Sequence, residues 1–241
     1  MPSDTTPFRT APSGLLLVLS GPSGTGKTSL AQALAQSDPA LGHARSVTTR
    51  KKPHPGAGEE HYDHVSRDEF LWMVADGDFA QWIHPSCDEY YGTLRTPLER
   101  ALSAGRDLVF DYRPEEYLNL KRSFPGQTVG VFVMGPSAEL MDQRLASRGS
   151  ENTEERELRH AVTLRDFNFV DEHDYHVVND EFDHTLETLR AIRRAEKARL
   201  CRQQPVLDAY ARYAEPTMLR YHPVPSPSSC PPHHEGSIRS S

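Results

Sequence analysis

A chain of 241 residues, 37% hydrophobic and 25% charged, has the composition of an ordinary globular protein and can bury one sizeable core. Its formal charge of −7 argues against a broad nucleic-acid footprint but leaves room for a local basic cleft that holds phosphates. Three scattered cysteines (Cys87, Cys201, Cys230) argue against a disulfide framework, and the apolar run from Leu15 to Leu19 is too short to span a membrane, so the expected location is the cytoplasm.

In chain order, residues 1–13 are a tail with three prolines, followed by an apolar strand from Leu15 to Ser20 and a glycine-rich loop. Good helix formers run from Thr28 to Gln36 and stop before Asp38 and Pro39; Ala44 to Thr48 reads as a second strand. Ser66 and Glu69 form a capping box ahead of Phe70 to Ala75, with Gly77 as the stop. Thr96, Pro97 and Glu99 repeat that logic for a helix closed by Gly105. A strand at 107–111, a helix from Glu115 to Ser123, a strand at 128–134 and a helix from Ala138 to Ser147 continue the alternation. A polar helix after Asn152, a strand from Tyr175 to Val178 and a helix from Thr185 to Gln203 complete it. This is the pattern of an α/β protein with a parallel sheet flanked by helices. Residues 215–241 turn to Pro, Ser and His and lack the apolar surface to order themselves.

The strongest chemical signal is GPSGTGKT, formed by Gly21, Pro22, Ser23, Gly24, Thr25, Gly26, Lys27 and Thr28. It fits G-x-x-x-x-G-K-[ST] between a strand and a helix, the context in which that pattern binds a nucleoside triphosphate. Backbone N–H groups and the helix N-terminus surround the phosphates, Lys27 neutralises β and γ charge, and the Thr28 hydroxyl is a magnesium ligand. ATP and Mg²⁺ are therefore the expected cofactors.

With that loop in place, the fragments SVTTR, GEEHY, EYYGT, LASRG and VVNDEFD follow in an order and spacing that resemble guanylate kinase. The resemblance implies a P-loop kinase fold over residues 14–214, with an acceptor-binding insert near 46–95 and a helical lid near 137–165. It implies transfer of the γ-phosphoryl group of ATP to GMP or dGMP. It assigns Arg50, Tyr62 and Tyr91 to the acceptor's phosphate, Ser46 to the guanine carbonyl, and Thr93 to the same acceptor site. Lys27 with the lid arginines Arg144, Arg148 and Arg159 becomes the catalytic set, where spread-out charge on the transferring group must be stabilised. Asn179 corresponds to an adenine-side contact, and Asp111 to an acid beside the magnesium shell, reaching the ion directly or through water, as well as to the acceptor site.

Three positions depart from that family's pattern. A second phosphate-binding arginine is replaced by Pro53, with Lys51, Lys52 and His54 as neighbouring substitutes. Two acids aimed at guanine's N1–H and amino group align with Gln81 and Arg113, although a one-residue insertion between Phe79 and Tyr90 leaves Asp88 or Glu89 as candidates for the first role. An Arg113 that faces the acceptor suits an anion there; one that turns outward pairs with Glu115 or Glu116. Two further readings follow: a kinase of ribose 1,5-bisphosphate, whose second phosphate would meet Arg113, and a non-catalytic binding module, which the retained phosphate-handling residues disfavour. The expected partners are ATP and a phosphorylated small molecule, without nucleic acid or membrane. The histidines His173, His176 and His184 lack a zinc spacing and read as loop or surface residues.

Overall fold

The computed structural model describes residues 13–51, 59–86, 89–137, 139–141 and 161–213. Five parallel strands form the main sheet in the order β2 (Leu41–His43), β7 (Asp107–Asp111), β1 (Leu16–Ser20), β8 (Thr128–Met134) and β9 (Tyr175–Val178). The central strand β1 is buried along its whole length because helices cover both sheet faces, as an unbroken apolar run in a parallel sheet requires. On one face Leu17 and Leu19 meet Leu30 and Leu34 of α1 (Lys27–Ser37) and Leu186 and Leu189 of α5 (Phe182–Ala198). On the other, Leu16 and Val18 meet Leu98 of α3 (Arg95–Ser103) and Tyr117 and Leu120 of α4 (Pro114–Ser123).

A second, four-stranded sheet has the order β4 (Tyr62–His64), β3 (Ser46–Thr48), β6 (Glu89–Leu94) and β5 (Phe79–Ser86). Helix α2 (Arg67–Ala75) seals it, stacking Phe70 on Phe79 at 4.5 Å between ring centroids. Gly92 makes that stack possible: a Cβ there would stand 2.6 Å from the Phe79 ring. Helix α4 packs on β5, so the small sheet sits against the second core face and the cleft between sheets opens at the C-terminal end of β7.

Several expected elements change. The strand expected from Ala44 to Thr48 is shorter, Ser46–Thr48, and belongs to the small sheet: Ala44 N still bonds Val109 O just past the main-sheet strand β2, while Ser46 and Val47 pair with Tyr62 and Gly92 of the small sheet. The cap at Ser66 forms, its hydroxyl accepting from Glu69 N at 3.2 Å. The box at Thr96 does not; α3 starts at Arg95, whose N–H donates to Asp78 O at 2.8 Å, so the hairpin end rather than a cap launches the helix. The expected helix from Thr185 to Gln203 is α5, a 3₁₀ turn (Leu200–Arg202) and α6 (Gln204–Tyr213). The turn lets buried Arg202 meet buried Glu196 at 3.2 Å while its carbonyl accepts from Ser13 N, a set of partners a straight helix could not supply. The two tails, and the expected helices from Ala138 and after Asn152 except for helical turns at 139–141 and 161–167, lie outside the described residues. Among the described residues no helix is long and apolar enough to cross a membrane.

Candidate active site

The glycine-rich loop leaves β1 and enters α1 with Gly21, Gly24 and Gly26 all at positive φ, a conformation that side chains rarely adopt. Space matters as much: a Cβ on Gly21 would lie 2.5 Å from Val133 O, and one on Gly26 2.5 Å from the Asn179 amide nitrogen. The loop is braced from within by Thr25 Oγ1 donating to Pro22 O at 3.1 Å and Lys27 Nζ donating to the same carbonyl at 2.7 Å. Asn179, buried just past β9, donates its amide to Thr25 O at 2.7 Å. The residue expected at the adenine thus gives one amide N–H to the phosphate loop. Thr28 donates its hydroxyl to Asp111 Oδ2, joining the loop to the end of β7. Two hard oxygens are thereby set side by side at the start of α1, a donor set that suits magnesium.

The small sheet carries the residues that the resemblance assigns to the acceptor. Arg50 is buried just beyond β3, its guanidinium 5.1 Å from the Tyr62 ring centroid and its Nη2 2.5 Å from Glu59 Oε2. Its Nε is buried with no partner among the described residues, a donor suited to an incoming anion. His64 holds both members of the pair, bonding Arg50 O at 2.8 Å and Glu59 Oε1 at 2.6 Å. Tyr62 and Tyr91 meet edge to face at 6.3 Å, and Tyr91 donates to Glu89 Oε2 at 2.9 Å. Burial, reinforced by Glu116 and Asp111, pushes the Tyr62 phenol up to about 12, so it remains a donor toward a phosphate. Lys51 is exposed, while Lys52, Pro53, His54 and Asp88 lie outside the described residues.

Deeper in the cleft is a cluster of short polar groups. Ser46 Oγ lies 3.5 Å from Thr93 Oγ1, Gln81 Nε2 donates to Thr93 Oγ1 at 3.4 Å, and the Tyr112 hydroxyl bonds the same Thr93 oxygen. Gln81 and Tyr112 are both buried, and burial raises the Tyr112 phenol well above its ordinary value. Glu116 in the first turn of α4 accepts from Arg113 N at 2.9 Å, and burial pushes its carboxyl up to about 7. Arg113 is exposed, in electrostatic reach of Glu116 and of Asp166 on the 161–167 segment. Asp166, itself raised by burial, also feels Lys27, and Arg165 pairs with Glu115 on α4. Of the residues expected at the site, Ser46, Gln81 and Thr93 meet in one polar cluster, Arg50, Tyr62 and Tyr91 in another on the same small sheet, and Asp111 joins Thr28. Tyr112 and Glu59 stand among them without having been singled out, and Glu116, expected only as a partner of an outward-turned Arg113, caps α4 instead. The lid arginines Arg144, Arg148 and Arg159 lie outside the described residues.

A phosphate loop at the end of a central parallel strand, facing a small sheet whose arginine and tyrosines converge on one cleft, defines a P-loop kinase that acts on a phosphorylated small molecule. Comparison with known proteins narrows the class. The guanylate kinase family model matches residues 13–196. The guanylate kinase of Desulfitobacterium hafniense is 39% identical over 191 residues, covering 79% of this chain and 94% of that protein. That of Gluconobacter oxydans is 37% identical over 202 residues, covering 83% and 96%. The crystal structure of guanylate kinase from Anaplasma phagocytophilum has the same fold, with a TM-score of 0.64 at 24% identity over 80% of this chain and 90% of that one. The chain belongs to the guanylate kinase family.

Proposed function

We propose that this protein transfers the γ-phosphoryl group of ATP to the phosphate of GMP. An oxygen of the GMP phosphate attacks the γ-phosphorus, and the bond from that phosphorus to the bridging oxygen of ADP breaks. The small sheet holds the attacking phosphate: Arg50 supplies a fork-shaped cation whose Nε has no partner among the described residues, and Tyr62 and Tyr91 supply phenol donors. The loop backbone and Lys27 hold the donor's phosphates, which fixes the two reactants in line. Thr28 would hold a magnesium ion, with Asp111 bound to it directly or through a water, and the ion would neutralise charge on the triphosphate. The resemblance assigns Arg144, Arg148 and Arg159 to the transferring phosphoryl group, where they would supply further positive charge.

The observation that carries this reading is the Thr28 to Asp111 bond, which ties an intact phosphate loop to the mouth of the acceptor cleft. A second phosphate beside Arg113 would also meet the carboxylates of Glu116 and Asp166, which favours a nucleotide acceptor over a sugar bisphosphate. The test offers Mg-ATP with GMP, IMP, AMP or ribose 1,5-bisphosphate and measures ADP release. GMP is expected to be turned over fastest. Turnover of the bisphosphate without turnover of GMP would overturn the reading.

A further inference from the structure

Arg50 has donors that its ion pair leaves unused. The Nε–H and Nη2–H of a guanidinium point the same way along one edge, so a single carboxylate or phosphate can take both bonds at once. Glu59 takes only one of them: its Oε2 accepts from Nη2 at 2.5 Å, while Nε is buried with no partner among the described residues. The cause is His64. Its Nε2 donates to Glu59 Oε1 at 2.6 Å, which turns the second carboxylate oxygen away from the arginine, and its Nδ1 bonds Arg50 O at 2.8 Å, which fixes the ring beside the pair.

The two partners differ in what they need. The Arg50 side chain is 4% exposed and requires a counter-charge whenever the cleft is empty. The Glu59 side chain is 32% exposed, on the 3₁₀ turn (Glu59–His61) that leads into β4, so it can leave the arginine and regain water. A phosphate dianion can fill both bonds of the edge where this carboxylate fills one.

We propose that Glu59 guards the acceptor's phosphate site: in the empty protein its carboxylate stands in for the phosphate on Arg50, the incoming phosphate displaces it and takes both donors of the edge, and His64 keeps the displaced carboxylate. Glu59 is thereby a positioning residue that acts through Arg50. It keeps the buried guanidinium matched and in place between turnovers. It also sets a threshold, which a dianionic phosphate passes and a more weakly charged anion does not.

The inference rests on the GMP kinase reading, and kinetics with GMP separate the two. Glu59→Gln keeps the size of the side chain and an oxygen for Nη2 but removes the competing charge. Loss of that competition predicts a roughly 3- to 20-fold fall in KM for GMP, with kcat and KM for ATP within about twofold of wild type. A carboxylate that merely held Arg50 in place would give the opposite sign, since its loss would raise KM. His64→Phe, which frees Oε1 to close on Nε, should raise KM for GMP roughly 3- to 10-fold in the wild-type background and less than about twofold in the Glu59→Gln background. A KM for GMP that is unchanged or raised in Glu59→Gln, or an equal rise from His64→Phe in both backgrounds, would overturn the proposal and leave the kinase reading intact. No turnover of GMP by wild type would sink the kinase reading and this inference with it.

Discussion

Lys27 and Glu116 show how differently single charges act in this cleft. Lys27 holds Pro22 O at 2.7 Å, but the loop is also braced by Thr25 and Asn179, so Lys27→Ala should leave the thermal midpoint within a few degrees of wild type. Its charge serves the bound phosphates, and phosphoryl transfer should fall by about two to three orders of magnitude or more. Activity within a fewfold of wild type would refute the assigned role. Glu116 has a folded-state pKa raised to about 7 by burial, above its ordinary 4.5. A raised pKa means that the folded protein binds the proton more tightly than the unfolded chain. The stabilisation is complete below the unfolded value and is lost as pH rises through about 7, amounting to at most about 3 kcal/mol. Glu116→Gln carries no titrating proton, so wild type should lose midpoint relative to this variant between about pH 5 and 8 in the absence of nucleotide. A constant difference across that range would remove the buried-acid account. Its capping role was not legible for a physical reason: the cap pattern expects Ser, Thr, Asp or Asn three positions before the glutamate, and Arg113 stands there instead.

At the scale of elements, the legible parts were those whose cause is local. The phosphate loop, α1 and the Ser66 cap follow from residues a turn apart, and each forms. Segments decided by partners distant in sequence were not legible. Ala44 to Thr48 reads as one strand, yet the chain changes sheets across it because Val109 bonds Ala44 at one end and Gly92 pairs with Val47 at the other. The β5–β6 hairpin is held by Phe70 from α2 and by a cleft that needs Gln81 and Thr93, so its strands carry polar residues that blur the alternation. Asn179 is another such case, since its role depends on a carbonyl 154 residues away. Asn179→Ala should orphan Thr25 O and loosen the loop against the end of β9. The expected result is a several-fold rise in KM for ATP with a loss of about 1–3 kcal/mol in stability, and little change in KM for GMP. Equal effects on both substrates would place Asn179 outside the donor half.

On the scale of the whole molecule, catalysis and cohesion sit at opposite ends of the main sheet. The phosphate loop and Asp111 occupy the C-terminal ends of β1 and β7, while Asp107 opens β7 at the other end. Asp107 is 1% exposed and gathers Leu15 N at 3.0 Å, Arg193 Nε at 2.8 Å and Lys197 Nζ at 2.7 Å. Arg193 also reaches Asp38 after α1, and Lys197 reaches Ser13 O, so one carboxylate ties α5 to the sheet and to the segment that leads into it. Such a buried hub is costly to break, because removing it orphans Leu15 N and takes from Arg193 and Lys197 the carboxylate they share, leaving them Asp38 and backbone carbonyls. Asp107→Ala should lower stability by about 3 kcal/mol, seen as an earlier midpoint in urea with an unchanged slope. Asp107→Asn, which still accepts from Leu15 N, should lose less. Neither change touches the cleft, so KM for GMP and kcat should stay near wild type wherever the protein remains folded. A selective loss of GMP affinity in Asp107→Asn at full stability would mean that the two ends of the sheet are coupled, and that α5 does more than hold the molecule together.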